Sequence, residues 1–149
     1  MKIKMIFVVS LFLLITQSSF SQHHGINYLG SSRQEIISTF GKPSKITKMS
    51  GVEQLQYQAT NNIDTDNSTS TVYGIKFNRC IHVVTFWNYT NKRGALNTFN
   101  YLANMFKSTC QLVVDDTYKK VYANDESVIT ILLTHYNTYT VASRIEERL

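Results

Sequence analysis

Proline occurs once in the 149 residues, at Pro43, glycine only six times and cysteine only twice. So little Pro and Gly excludes a collagen-like or low-complexity chain. The glycines are scattered singly, which leaves no phosphate-cradling loop and no Gly-x-Ser-x-Gly nucleophile elbow. Two cysteines cannot make a disulfide-dense scaffold. Dense Lys/Arg clusters with interleaved aromatics are also lacking, which argues against a nucleic-acid surface. No apolar run after residue 22 is long enough to cross a bilayer, which takes about 20 residues of helix.

What is present begins with an apolar N-terminus. Lys2 and Lys4 precede an apolar stretch from Met5 to Ile15, and Ser19, Phe20 and Ser21 follow. A basic start, a short apolar core and a small-residue tripeptide form a cleavable signal peptide, and the core is too short to be an anchor. The sequence therefore predicts a leader over 1–21 and one exported domain over 22–149, periplasmic or secreted. Losing Lys2 and Lys4 with the leader lowers the formal charge from +5 to +3, so part of the basicity belongs to processing.

Ser32 followed by Glu35 is a capping box. Ile36, Ile37 and Phe40 supply an apolar face, and Gly41 and Pro43 stop the run, which predicts a helix over 32–40. Alternation over 54–59 puts Leu55, Tyr57 and Ala59 on one face and Gln54, Gln56 and Gln58 on the other. A polar run over 60–70 reads as a loop. Tyr73, Ile75 and Phe77 then share a strand face, and 81–87 forms a second strand, joined to the first by a tight turn at Asn78 and Arg79. Leu96, Phe99, Ala103 and Phe106 set a helical period over about 92–108. Strands follow at about 118–123, 127–135 and 138–145, with turns at 124–126 and at Asn137.

The element order is helix and three strands, twice over, which suggests repeats at 30–88 and 91–146. Hairpin-linked strands pair antiparallel, and two amphipathic helices can cover one face. The expected fold is an α+β two-layer sandwich, with an antiparallel sheet of about six strands and two helices on one face. The sheet's other face is then open to a partner.

The segment Gly30, Ser31, Ser32, Arg33, Gln34, Glu35, Ile36, Ile37, Ser38, Thr39, Phe40, Gly41, Lys42, Pro43 resembles the opening of the small outer-membrane assembly lipoproteins of the SmpA/OmlA type. These share a fold group with the tandem-repeat β-lactamase inhibitor proteins. Leu55 and Tyr57, then 75–87, resemble the aromatic strand and hairpin that continue such domains. The resemblance implies that fold and protein–protein contact without catalysis. It implies no active site. No lipidation cysteine follows the leader here, so outer-membrane anchoring does not carry over.

Candidate chemistry is sparse. Cleavage after Ser21 would start the chain Gln22, His23, His24, and a free amine with His at position three can chelate Cu²⁺ or Ni²⁺. Asp64, Asp66 and Ser68 begin a calcium-loop rhythm, but Thr69 and Ile75 stand where Gly and Glu are required. Cys80 and Cys110 either close one disulfide, worth about 3.7 kcal/mol in chain entropy, or remain small buried hydrophobes. His82 and His135 have no metal-spaced neighbour. Neither catalytic residues nor a cofactor are expected.

Nine tyrosines and Trp87 exceed what two short helices must bury, which makes Trp87 and Tyr89 candidate interface anchors. Together these features favour a non-catalytic binding module for another envelope or secreted protein. The alternative is a small-molecule-binding or hydrolytic domain with a pocket between helices and sheet, where His82 or His135 would act.

Overall fold

The computed structural model describes residues 25–59 and 68–148. The expected leader, the expected metal-binding start at Gln22, His23 and His24, and residues 60–67 of the loop expected over 60–70 lie outside them. Residues 68–70 are not loop but the first residues of a strand, paired with the strand that follows it.

Helix α1 spans Arg33–Phe40, and both halves of its capping box are made. The Ser32 hydroxyl accepts from the Glu35 amide at 3.2 Å, and the Glu35 carboxylate accepts from the Ser32 amide at 2.7 Å. Gly41 ends the helix at φ 77°, and its amide donates to the Ile37 carbonyl. Helix α2 spans Lys92–Lys107. Its cap is the Asn91 side chain, which accepts from the Gly94 amide at 2.8 Å. A methyl group at Gly94 would lie 2.9 Å from the Tyr89 ring, so glycine is required where this ring leans on the first turn.

Eight strands form one antiparallel sheet: β1 (Lys45–Met49), β2 (Val52–Ala59), β3 (Ser68–Lys76), β4 (Arg79–Tyr89), β5 (Gln111–Asp115), β6 (Lys119–Ala123), β7 (Ser127–His135) and β8 (Tyr139–Glu147). The order is β1-β2-β3-β4-β8-β7-β6-β5. Each half is a helix followed by a four-stranded meander, and the halves join where β4 pairs with β8 from His82↔Glu146 to Tyr89↔Tyr139.

The six expected strands are therefore the inner six, flanked by β1 and β5. Every residue of β1 and β5 is exposed, so neither carries a half-buried alternation. In β5 an extra residue, Val113, bulges between Leu112 and Val114 and breaks the period as well.

A second correction concerns the β3–β4 hairpin. Its turn residues are Phe77 and Asn78, at φ 51° and 60°, and Arg79 already belongs to β4. Two successive left-handed residues match the twist of a tight hairpin. Phe77 thus leaves the strand face assigned to it and stands 92% exposed.

Both helices cover the same face. Ile36 of α1 packs with Leu55, Tyr73, Ile75, Cys80 and Val83, flanked by Tyr28, Phe40 and Tyr57. Phe99, Leu102 and Phe106 of α2 pack with Trp87, Tyr122, Ile129, Ile131, Val141 and Ile145. Leu29 touches both clusters.

Three of the nine tyrosines pack under α1. Phe40 stacks on Tyr73 at 5.3 Å, while Tyr28 and Tyr57 meet Tyr73 edge-on at 5.9 and 5.7 Å. Burial pushes the Tyr73 phenol well above its ordinary pKa.

Candidate functional site

Cross-strand pairing defines what the other face presents. One row runs Gln56, Val72, Val84, Arg144, Thr130, Val121 across β2, β3, β4, β8, β7 and β6. A second runs Gln54, Gly74, His82, Glu146, Val128, and a third Gln58, Ser70, Phe86, Ala142, Leu132. All of these residues are partly or fully exposed except Gly74. The face is mixed, with Val, Leu, Ala and Phe between Gln, Ser, Thr and one Arg–Glu pair.

At its β1–β4 side the face holds a hollow of about 340 Å³. Its floor is Val72, Val84 and Phe86, its wall Met49, Ser50 and Val52 from the β1–β2 hairpin, and its rim His82 and Arg144. The Arg144 guanidinium is held by Glu146 at 2.8 Å.

His82 lies on Gly74: a Cβ built there would sit 2.2 Å from the imidazole. A ring laid over a cross-strand glycine restores the packing that the missing side chain forfeits. Burial, then the Arg144 charge, hold the His82 pKa below its ordinary 6.5, with Glu146 acting the other way.

His82 is therefore on the open face and not between the layers. His135 lies elsewhere, at the end of β7, stacked on Tyr139 at 4.1 Å. It shares a shallow hollow of about 260 Å³ with Lys92, Tyr118, Leu133 and Thr134. The structure does not bring the two histidines together. Among the described residues no three His, Cys, Asp or Glu side chains cluster to hold a metal.

Trp87 and Tyr89 also fall elsewhere. Alternation along β4 turns Trp87 inward with Val83 and Thr85, and it is 8% exposed under α2. The Tyr89 hydroxyl meets that of Thr98 at 2.5 Å. These rings brace α2, and the ring offered on the open strands is Phe86. Sequence reasoning passed over it because Phe86 sits within an unbroken run of β-branched and aromatic residues, 83–87, in which the parity is not visible.

Both cysteines are free. Cys80 is fully buried beneath α1, and Cys110 lies partly exposed against the α2 cluster. Burial pushes the Cys80 thiol up to about 12, with its hydrogen bond to the His82 carbonyl opposing. Thiolate is the reactive form. At pH 8 without denaturant, Cys110 is expected to react with a thiol probe promptly and Cys80 only on unfolding, with intact-mass spectrometry counting one adduct, then two.

No helix among the described residues is long and apolar enough to cross a membrane. No family model and no curated protein matches the chain. Among solved structures, the chain is similar to an extracellular protein containing a SCP domain from Bacillus anthracis str. Ames, solved at 1.5 Å, at a TM-score of 0.48 and 12% identity. The match covers 85% of this chain and 46% of that one, so the chain spans about half the length of its structural neighbour.

Proposed function

We propose that the protein is a non-catalytic exported binding module whose open sheet face, centred on the hollow around Val72, Val84 and Phe86, contacts a partner protein. The supporting observation is the division of the sheet: one face is shielded by both helices, while the other keeps valine, leucine and phenylalanine in contact with solvent. Interfaces of transient complexes have this mixed character, with apolar patches among hydrogen-bonding groups. The titratable groups at the hollow, His82, Arg144 and Glu146, suit recognition, with the guanidinium already held by its carboxylate neighbour. The signal-like N-terminus supports export.

A photo-crosslinking amino acid tests the reading. Placed at Val84 or Leu132, it is expected to trap the same single protein from an envelope extract, and at Tyr101 on the outer side of α2 to trap none. Equal labelling from Tyr101, or none from Val84 and Leu132, would overturn it.

A further inference from the structure

The β1–β2 and β3–β4 hairpins are neighbours at one end of the sheet, since Glu53, two residues after the first turn, pairs with Ile75, two residues before the second. Their tips carry Met49, 63% exposed, and Phe77, 92% exposed. Phe77 is held in the left-handed region at φ 51°, which a bulky side chain rarely occupies and which Asn or Gly would adopt more readily. A large ring held in solvent, at a backbone position that disfavours it, points to a role outside the fold.

Cations surround it. The Lys76 ammonium sits 5.5 Å from the Phe77 ring centre, and Lys48 shares a hollow of about 360 Å³ with Phe77 and Asn78. Arg33 and Arg79, nearby, are matched by Glu53 and Glu147 at 2.6 Å. Lys48 and Lys76 have no acidic partner within salt-bridge distance among the described residues, which leaves this tip positive.

We propose that these two hairpin tips are a membrane-docking wedge for an anionic phospholipid surface, with Met49 and Phe77 entering below the headgroups and Lys48 and Lys76 resting among them. Apolar apices backed by lysines match a bilayer layer by layer, because lysine stems lie along apolar surface while their charges stay with the phosphates. A protruding ring needs no shaped cavity there. The β6–β7 turn at the same end carries Asp125 and Glu126, so the β1–β4 side leads the approach.

Sedimentation with sucrose-loaded vesicles tests this, using phosphatidylcholine alone and phosphatidylcholine mixed with phosphatidylglycerol. Binding is expected only to the mixed vesicles and is expected to fade as salt rises. Phe77→Asn should weaken it about tenfold, as lost apolar insertion implies. The same variant should melt no lower than the parent, since Asn suits the turn better. Lys48→Gln and Lys76→Gln should each cost about fivefold. Failure to bind mixed vesicles, equal binding to phosphatidylcholine alone, undiminished binding of the Phe77→Asn protein, or a crosslinker at position 77 that traps protein and no lipid would each overturn the proposal.

Discussion

Phe99→Ala is expected to destabilise the protein by about 3–5 kcal/mol, measured as a lower denaturant midpoint with an unchanged slope. Phe99 is 2% exposed and lies midway along the buried stripe of α2, between Ala95 and Leu102. Truncation removes a ring from the cluster that holds Trp87, Ile131 and Val141, and the surrounding strands are tied by ladder hydrogen bonds that resist collapse into the void. Such a loss is a large fraction of a small domain's net stability, which is about 5–15 kcal/mol. The loss should be felt in the other half, because β4 and β8 share eight paired positions and Leu29 contacts both clusters. Cys80, beneath α1, reports this. In the Phe99→Ala protein its thiol should become reactive in step with loss of the α2 helix signal. Labelling of Cys80 that lagged well behind would mean that the halves unfold separately.

How much of this was legible in the sequence follows from where alternation and caps are strong. Ser32, Glu35, Gly41 and Pro43 predict α1 because each satisfies or terminates a specific backbone group, and the structure ends the helix there. Gln54 to Ala59 reads correctly because polar and apolar residues take strict turns. Phe77 misleads because period two places it with Tyr73 and Ile75, yet the chain reverses at that residue and no Gly announces the turn. Trp87 and Tyr89 mislead for a different reason: composition counts aromatics without saying which side of the sheet receives them. The hollow was not legible at all. Met49, Val72, His82 and Arg144 come from four different strands, and only their register brings them together.

That register also makes Gly74 the most sensitive point of the open face. Gly74→Ala places a methyl group 2.2 Å from the His82 imidazole, well inside contact distance, so the ring must leave its seat. Displacement pushes it toward the hollow or into solvent, at a cost of about 1–3 kcal/mol for overpacking. If the ring is the cause, His82→Ala should restore most of the loss in the Gly74→Ala background, a coupling that a double-mutant cycle measures directly. Additive losses would place the strain in the backbone instead, at the neighbouring bulge where Ile81 is the extra residue of β4. The same seat sets a pH dependence. The folded protein holds the His82 pKa below 6.5, so above that value the neutral ring contributes its full share. As pH falls below 6.5 the unfolded chain takes up a proton that the folded one resists, and stability declines until the folded pKa is passed. Between pH 7.5 and 5 the parent should therefore lose more stability than His82→Asn, whose side chain does not titrate. Parallel curves for the two proteins would show that the ring is solvated, and the rim of the hollow would then lack its fixed imidazole.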